Sequence, residues 1–450
     1  MKIPKILEQI AQDFSYHDIK AILVGGSVRD SFLNLEVKDY DIEVYGVKSY
    51  EELTKLLQSY GKVFTVGKSF GVVKLKTDKY EFDFSLPRTE TKVASGHKGF
   101  EVVCDAKLDF TTASKRRDFT INSIGYDIVQ KKILDPYGGV EDLQNKLLKV
   151  VDKKTFIEDP LRVYRAMQFI ARFELKLEPK TKELIMMMVQ GGDLEELPKQ
   201  RVFEEFKKLL LKADKPSLGL EFLKDVGALR YFPQLKALIN TPQDKEYHPE
   251  GDVWIHTMKA LDALKQKDLV LKFAVLCHDM GKPDTTAFVD GRIRSRGHEE
   301  VGVEIAQDFL KILTDDKKLI SQVLPLVRYH YAPSALYKQN SKNKAIRRLS
   351  TKVNIEQLVK VAKADFLGRD TPEAKSGIYK AGEWLLQKAK ELKVENKPPS
   401  PLITGKDLIN IGLSPSPQFK KILDEVYQKQ LDDGVRIEEL LDYLKKIIIK

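Results

Sequence analysis

Apolar positions in the first 150 residues fall in short runs, whereas further along the chain they recur every three or four residues. Short runs bounded by turn residues predict strands at 21–24, 41–45, 72–76, 81–84 and 133–135. Helical spacing predicts helices between these strands, at 27–35 and 49–58. From residue 151 helical spacing continues, at 159–173, 180–189, 200–211, 254–263, 269–278, 298–313 and 354–366. We therefore predict an α+β chain in which a mixed sheet with helices precedes an all-helical body and tail.

Turn-rich segments divide this chain into parts. With 450 residues, about three domains of roughly 150 residues are expected. Candidate joints lie at 191–192 (GG), 241–245 and 396–400 (NKPPS). We predict four parts: a head over 1–150, a helical neck over 151–240, a histidine-rich helical domain over 241–370 and a helical tail over 371–450.

Composition narrows the class of protein. Apolar residues make up 42% of the chain, which excludes a largely disordered protein. No apolar run reaches the ~18 residues of a membrane helix, and the first residues lack an export signal. The two cysteines, Cys104 and Cys277, cannot form a disulfide framework or a cysteine zinc site. We therefore expect a cytoplasmic protein.

Positive charge is concentrated in one region. The net charge is +10, and residues 331–400 carry 15 Lys and Arg against 7 Asp and Glu. The run 338–348 (KQNSKNKAIRR) has five cations and no acid. Such a run suits a phosphate backbone as partner, and an ordinary solvated helix surface is the alternative.

A glycine turn in the head has the features of a phosphate site. Gly25 and Gly26 separate a predicted strand from a predicted helix. Ser27 can cap this helix, with Asp30 completing a capping box. Glycines allow close approach of a ligand, and exposed N–H groups at a helix start attract phosphate. A plain structural turn is the alternative.

Acidic residues follow on the next strand. Asp39 and Asp41 alternate along it, so their carboxylates share a face about 6–7 Å apart. Hard oxygen ligands at this spacing suit Mg²⁺, and residues 81–83 (EFD) offer a third acid. The set predicts nucleotidyl or phosphoryl transfer with two metal ions. Solvent-facing acids on an edge strand are the alternative.

Histidines cluster in the helical body, where five of the seven lie between 248 and 330. Imidazoles with carboxylates suit a transition metal such as Ni²⁺, Mn²⁺ or Fe²⁺, which can activate a bound water. The alternative is a helical domain that keeps these residues as hydrogen bonders in its core. The candidate ligands are His256, His278, Asp279 and Asp365, with His298 and His330 nearby.

Five segments, in order and in spacing, resemble the bacterial class II tRNA nucleotidyltransferases, the CCA-adding enzymes with relatives among bacterial poly(A) polymerases. They are residues 23–30 (LVGGSVRD), 38–41 (KDYD), 116–122 (RRDFTIN), 135–143 (DPYGGVEDL) and 158–162 (EDPLR). The resemblance covers nearly the whole chain and implies a nucleotidyltransferase palm. It implies that Asp39 and Asp41 bind the catalytic Mg²⁺ and that Asp83 is the third acid, with Glu81 as the fallback.

The same resemblance implies the nucleotide-binding residues. It assigns the triphosphate to Gly25, Gly26, Ser27 and Arg29, and the ribose and phosphates to Arg117, Asp118 and Asn122. It assigns the Watson–Crick edge of CTP or ATP to Asp159 and Arg162, with help from Arg165. A carboxylate can accept from an exocyclic amino group, and a guanidinium can donate to a ring nitrogen or carbonyl. Without the resemblance, Asp159 and Arg162 are an ordinary helical i,i+3 ion pair.

Two positions depart from the family pattern. Ala113 stands where an acid often precedes Arg116, within the region 86–114 that the family uses to switch from C to A addition. Gln200 stands where an acid is common. Addition of CC only or of A only therefore stays open. In the tail, residues 401–408 (PLITGKDL) and 412–417 (GLSPSP) resemble the family's tRNA-binding segment.

The histidine order H…HD…D resembles the HD-superfamily phosphohydrolases. It implies a metal-dependent phosphatase or phosphodiesterase activity on nucleotide or RNA 2′,3′-phosphates, and it argues against a poly(A) polymerase. We predict an enzyme that adds CCA to tRNA from CTP and ATP, with no membrane and no obligate protein partner. The alternatives are partial addition, poly(A) synthesis, or an HD phosphohydrolase whose head only holds RNA.

Overall fold

The computed structural model describes residues 1–37, 39–66, 71–92 and 100–448. Lys38 and part of the region 86–114 therefore lie outside the described residues. The chain divides into two compact units. The first comprises Met1–Leu209 and Leu218–Ala228, and the second comprises Leu210–Ser217 and Leu229–Lys450.

Strands are concentrated in the first unit. They are β1 (Lys20–Val24), β2 (Tyr40–Tyr45), β3 (Lys62–Val66), β4 (Val72–Lys76), β5 (Glu81–Ser85), β6 (Arg88–Lys92), β7 (Phe100–Cys104), β8 (Gly125–Asp127), β9 (Lys132–Leu134), β10 (Leu147–Leu148) and β11 (Lys176–Leu177). The second unit contributes the hairpin β12 (Thr286–Val289) and β13 (Arg292–Ser295). The predicted α+β class is confirmed.

Seven strands form one sheet in the order β3-β4-β5-β2-β1-β8-β9. Strands β2 and β5 are parallel, and the other neighbours are antiparallel. Leu7, Ile10 and Phe14 of the first helix are buried in the same core as the sheet residues Leu23 and Ile42. This core fixes strand β2, which carries the predicted metal-binding acids.

Helices make up most of the remaining structure. The earlier ones are α1 (Lys5–Ser15), α2 (Gly26–Phe32), α3 (Tyr50–Leu57), α4 (Phe110–Ser114), α5 (Gly139–Gln144), α6 (Lys153–Glu158), α7 (Leu161–Phe173), α8 (Pro179–Gly191), α9 (Lys199–Lys212), α10 (Ser217–Asp225) and α11 (Pro233–Ala237). The later ones are α12 (Val253–Ala263), α13 (Leu269–Cys277), α14 (Lys282–Thr285), α15 (His298–Leu313), α16 (Lys317–Tyr329), α17 (Ala332–Lys338), α18 (Asn343–Ser350), α19 (Ile355–Leu367), α20 (Pro372–Lys375), α21 (Lys380–Glu391), α22 (Gly405–Asn410), α23 (Gln418–Asp433) and α24 (Ile437–Ile448).

In the second unit, α13 packs against α12, α16 and α19. Its residues from Leu271 to Cys277 are all buried. Trp254, on α12, is also buried. The histidine-bearing elements are therefore held by an apolar core, to which Cys277 and Trp254 belong.

The predicted cap of α2 is wrong. The helix begins at Gly26, and Gly25 precedes it with a φ of +68°, a conformation that glycine adopts at little cost. Ser27 lies inside the first turn and its hydroxyl donates to the Val24 carbonyl at 2.9 Å. Asp30 accepts from Arg29 instead of completing a capping box. The glycine turn, rather than a side chain, sets the start of the helix.

The predicted start of α7 is also wrong. Asp159 has extended backbone angles and lies between α6 and α7, because the residue before a proline is disfavoured in the helical region. Pro160 follows it, and the helix begins at Leu161. Asp159 and Arg162 are therefore not partners on one helix face.

The basic run 338–348 is only partly available to a ligand. Lys344 and Arg348 form ion pairs with Asp432. Arg347 donates to the main-chain carbonyls of Leu431 and Asp432. Three of the five cations thus hold α18 against the end of α23. The side chains of Lys344 and Arg348 are still about half exposed, so phosphate binding by this run stays a prediction.

Candidate active site

The strand register brings two predicted acids together. Asp41 of β2 lies opposite Asp83 of the parallel strand β5, and neighbouring strands are about 4.8 Å apart. Asp39 directly precedes β2. Desolvation, and then repulsion from Asp83 and Asp39, raise the pKa of Asp41, although Arg117 opposes the shift. Crowded carboxylates of this kind create a site for a cation.

The two candidates for the third acid have different surroundings. Glu81 is the first residue of β5, is exposed and pairs with Lys76 at 2.7 Å. Asp83 instead accepts from the Lys74 ammonium at 2.8 and 2.9 Å. Only Asp83 is in register with Asp41. The geometry favours Asp83, and it adds Lys74, a cation that sequence reasoning missed.

Glu43 follows Asp41 on the same strand but is fully buried. Its carboxylate accepts from Arg116 at 2.6 Å and from Arg117 at 2.8 Å. Tyr45 also donates to it, at 2.9 Å. Burial would raise the pKa of Glu43, but Arg117 and Arg116 outweigh burial and lower it. Glu43 is therefore an anchor for two arginines.

The glycine turn forms a small recess beside these groups. A Cβ atom added to Gly25 would lie 3.1 Å from Arg117 Nη1 and 3.9 Å from Asp41 Oδ2. At a φ of +68° such a side chain would also be strained. Because Gly25 has no side chain, space remains between the Arg117 guanidinium and the Asp41 carboxylate. A phosphate chain in this space could contact the backbone, the guanidinium and a metal ion.

The Arg29 guanidinium is engaged by neighbouring side chains. Its guanidinium donates to Asp30 and to the Asn122 side chain, and it lies 4.7 Å from the centroid of the Phe173 ring. The residue is only 5% exposed. These contacts hold the Arg29 guanidinium beside Asn122, and its role in binding the triphosphate stays a prediction.

Asp118 and Arg165 are likewise paired with each other. Arg165 Nε donates to Asp118 Oδ2 at 2.7 Å, and Asn122 donates to Asp118 Oδ1 at 2.8 Å. Burial opposes ionisation, yet Arg165 and Arg162 lower the pKa of Asp118 to about 2. The structure thus places Asp118 in a network with Arg165 and Asn122, and its contact with the ribose or phosphates stays a prediction.

Arg162 keeps a donor unused. Its Nη2 donates to the Arg116 carbonyl at 2.5 Å, whereas its Nη1 is buried without a hydrogen-bond partner. Asp159 lies 3.5 Å from Arg201, which sequence reasoning missed. A buried donor without a partner is costly, so Arg162 is suited to a polar ligand.

Ala113, the departure from the family pattern, is buried in a small core with Ile22, Val24 and Tyr45. A carboxylate at this position would be surrounded by apolar groups. In this conformation Ala113 is thus a packing residue.

The predicted HD ligands meet in the second unit. His256 Nε2 lies 3.1 Å from Asp365 Oδ1, and His278 Nε2 lies 3.2 Å from Asp279 Oδ2. Ligand atoms of His256, His278 and Asp365 lie within 4.8 Å of one another. His278 Nε2 and Asp279 Oδ2 are buried without a hydrogen-bond partner. This donor set fits a divalent transition metal.

Sequence reasoning missed the residues behind His256. Its Nδ1 lies 2.8 Å from Glu250 Oε1, and His248 Nδ1 lies 2.9 Å from the same oxygen. Burial lowers the pKa of His248 to about 4. A carboxylate that orients a ligating imidazole is a common second layer of a metal site, and the spacing in residues 248–256 (HPEGDVWIH) was the available signal.

A cavity of about 1140 Å³ opens over this cluster. Asp279, His298, His330 and Asp365 lie in its wall. Its other walls carry cations and aromatic rings, among them Lys282, Lys338, Arg369, Lys380, Tyr247, Tyr337 and Tyr379. Such walls suit a phosphate attached to a planar group.

Adjacent acids beside a glycine recess place the first unit among the nucleotidyltransferases, and the second unit has a cluster of potential metal ligands of the HD type. Comparison with known families agrees with both assignments. Residues 21–149 match the poly A polymerase head domain, residues 174–239 match a probable RNA and SrmB-binding site of polymerase A, and residues 251–368 match the HD domain.

Curated relatives are similar to this chain over more than two thirds of its length. The multifunctional CCA protein of Nitrosospira multiformis is 38% identical over 315 residues, covering 69% of this chain and 73% of that protein. That of Nitrosomonas eutropha is 35% identical over 362 residues, covering 78% and 84%. The chain therefore belongs to the bacterial tRNA nucleotidyltransferase family, in the group of the multifunctional CCA proteins.

Solved structures share the fold over the whole chain. The Bacillus stearothermophilus CCA-adding enzyme in complex with CTP has a TM-score of 0.69 at 21% identity and covers 99% of both chains. The Thermotoga maritima CCA-adding enzyme complexed with tRNA has a TM-score of 0.61 at 20% identity, covering 98% and 96%. Among the described residues, no helix has the length and apolar character needed to cross a membrane.

Proposed function

We propose that this chain adds CMP, CMP and AMP to the 3′ end of tRNA, taking them from CTP and ATP in a reaction that depends on divalent metal. The observation that carries the proposal is the register of Asp41 beside Asp83, next to the recess at Gly25. The relatives named multifunctional CCA proteins, and the similar structures that contain CTP or tRNA, support the substrates.

In this proposal Asp39 and Asp41 hold Mg²⁺, and Asp83 completes the acidic set. Their oxygens are the hard donors that Mg²⁺ prefers, and the ion supplies Lewis acidity at the α-phosphate and the attacking hydroxyl. The Lys74 ammonium pairs with Asp83 at 2.8 Å and lies where the charge of a triphosphate would be neutralised. Arg117, held from behind by Glu43, faces the recess from the other side.

Base selection is assigned to Arg162 and Asp159. The unpaired Nη1 of Arg162 can donate to a ring nitrogen or carbonyl, and the Asp159 carboxylate can accept from the amino group of cytosine or adenine. Guanine and uracil present the opposite order of donors and acceptors, so they would leave buried polar atoms unpaired. This would explain selection of C and A without a nucleic-acid template.

The direct test uses tRNA that lacks its 3′ CCA, with product lengths determined on a gel. The proposal predicts two added residues with CTP alone, none with ATP alone and three with both. Arrest at two with both nucleotides would indicate a CC-adding enzyme, and extension only of tRNA ending in CC would indicate an A-adding enzyme. Long products with ATP alone would indicate poly(A) synthesis.

We propose a second activity for the second unit, the hydrolysis of phosphate esters on a nucleotide or an RNA end. The observation that favours it is the convergence of imidazole and carboxylate atoms in the wall of the cationic, aromatic cavity. Ni²⁺, Mn²⁺ and Fe²⁺ suit these donors. Release of phosphate from 2′-nucleotides and opening of 2′,3′-cyclic nucleotides test it, and the activity should persist when Asp41→Asn inactivates the head. No hydrolysis with any of the three metals would contradict it.

A further inference from the structure

The Arg29 guanidinium lies against two aromatic rings that come from a distant part of the chain. Its Cζ atom is 4.7 Å from the centroid of the Phe173 ring and 5.2 Å from that of the Phe169 ring, and both residues belong to α7. A cation within about 6 Å of a ring centroid is attracted to the face of the ring, and more strongly where water is excluded. Arg29 is 5% exposed and Phe169 is 4% exposed. This contact therefore fixes α2 to α7 with little water present.

Each ring has a second guanidinium beside it. Arg165 lies 5.3 Å from the centroid of Phe169, and Arg172 lies 4.8 Å from the centroid of Phe173. The two rings are nearly parallel, with 14° between their planes and 6.1 Å between their centroids. Burial, and then the positive charge of Arg29, lower the pKa of Arg172. The cations therefore repel one another, and the rings beside them offset part of this repulsion.

Hydrogen bonds close a circuit between the two helices. Arg29 donates to the Asn122 side chain, which donates to Asp118 Oδ1 at 2.8 Å. Asp118 Oδ2 accepts from Arg165 Nε at 2.7 Å. The ring of Phe169 contacts both arginines and completes the circuit. Arg29, Asn122, Asp118 and Phe169 are each at most 6% exposed, so polar and aromatic contacts together set the position of α7 relative to α2.

Helix α7 carries the proposed base-selecting Arg162 at its other end. Arg162 is the second residue of this helix and Phe173 is the last, so they are roughly 16 Å apart along the helix axis. A tilt of α7 at Phe173 would therefore move Arg162 relative to the recess at Gly25. A displacement of about 1 Å can cost about 10²-fold in rate. The aromatic contacts thus determine where the base is read relative to the triphosphate.

We propose that Phe169 and Phe173 are positioning residues for nucleotide selection, an inference that rests on the CCA addition proposed above. Their rings hold Arg29 against α7 and keep Arg162 at a fixed distance from the recess at Gly25. They act through these two arginines and not on the nucleotide itself. Loss of a ring should therefore loosen the choice of nucleotide and raise KM for the correct one.

The test replaces one ring by an aliphatic side chain in the full-length protein. With tRNA that lacks its CCA end, Phe173→Leu should raise KM for CTP and lower the ratio of kcat/KM for CTP over UTP by about 10-fold. Phe173→Tyr keeps the ring and should retain both values. A protein that is merely less stable has fewer active molecules, which lowers kcat and leaves KM unchanged. The control is Met167→Ala, which removes a buried side chain from the same helix and should change neither KM nor the ratio.

Hydrogen exchange of α2, measured by mass spectrometry, follows the same contact without any need for activity. Phe173→Leu should speed the exchange of the α2 amides, although the substitution lies on α7, because α2 loses part of what holds it. Phe173→Tyr should leave this exchange unchanged. The two measurements separate the contact between the helices from its consequence for nucleotide selection.

The possible outcomes distinguish this inference from the proposed function. CCA addition with unchanged KM and an unchanged CTP/UTP ratio in Phe173→Leu would overturn the inference and leave the proposed function standing. Equal losses in Phe173→Tyr and Phe173→Leu would also overturn it. If the unaltered protein adds no nucleotide to tRNA, the proposed function fails, and faster exchange of α2 in Phe173→Leu would still support the positioning contact. If Phe173→Leu does not fold, Phe173→Met removes the ring with a more flexible side chain, and the same results are expected.

Discussion

Glu43→Gln tests the internal support of the nucleotidyltransferase site. The Glu43 carboxylate is fully buried and accepts from Arg116 at 2.6 Å and from Arg117 at 2.8 Å. Glutamine keeps the size of the side chain but removes its charge. The two guanidinium groups, whose side chains are 17% and 15% exposed, then lose their common counter-ion.

The loss of free energy of unfolding that we expect for Glu43→Gln follows from this burial. Removing one partner of a buried ion pair typically costs about 3–5 kcal/mol, which is a large part of an ordinary domain stability of roughly 5–15 kcal/mol. For a unit of this size, that corresponds to a fall in melting temperature of about 6–20 °C. Because the pKa of Glu43 is lowered on folding, its contribution is present above the unfolded value of about 4.3. It is lost as the pH falls through the lower folded pKa.

Hydrogen exchange of β1 and β2, measured by mass spectrometry, gives the free energy of opening of this part of the sheet. The matched control is Glu81→Gln, which breaks the exposed pair with Lys76 and should leave the stability nearly unchanged, because exposed ion pairs contribute little. If Glu43→Gln lowers the free energy of opening no more than Glu81→Gln does, the Glu43 carboxylate does not hold the two arginines in place.

Three further predictions concern the acidic set, base selection and the separation of nucleotide addition from phosphate-ester hydrolysis. Asp83→Asn should lower CMP incorporation by about 10²–10⁴-fold, whereas Glu81→Gln, on the same strand, should leave it nearly unchanged; equal effects would remove Asp83 from the acidic set. Arg162→Ala should weaken discrimination against UTP and GTP by roughly 10- to 100-fold, as measured by competing-nucleotide incorporation, whereas the control Lys207→Ala should leave it unchanged. Unchanged nucleotide choice in Arg162→Ala would refute the assignment of base selection to Arg162. His278→Ala should abolish hydrolysis of 2′,3′-cyclic nucleotides and leave CCA addition intact, and parallel loss of both activities in a folded variant would contradict two separate sites.

The sequence predicted elements best where one pattern of apolar positions decided the structure. The predicted ranges 72–76 and 298–313 match β4 and α15. The errors came from backbone rules at single residues. The left-handed φ of Gly25 moved the start of α2, and Pro160 kept Asp159 out of α7. Periodicity carries little information about such positions, because they are decided by local dihedral angles.

Site residues were harder to predict where their role depends on contacts between distant segments. Spacing alone offered both Glu81 and Asp83, the family resemblance implied Asp83, and the β2–β5 register supports that choice. Arg29 follows the glycine turn in the sequence. The aromatic ring of Phe173, which lies on a helix far along the chain, packs against its guanidinium. Glu250 gives no periodic signal; its place between His248 and His256 was the only signal in the sequence, and its contact with His256 is seen in the packed structure.

A crystal structure with Mg²⁺ and a non-hydrolysable analogue of CTP tests the central claim most directly. We expect Mg²⁺ on Asp39 and Asp41 with Asp83 beside it, the triphosphate over Gly25, and the cytosine edge against Arg162. A nucleotide bound away from Gly25, or a metal ion that none of the three aspartates touches, would contradict the account.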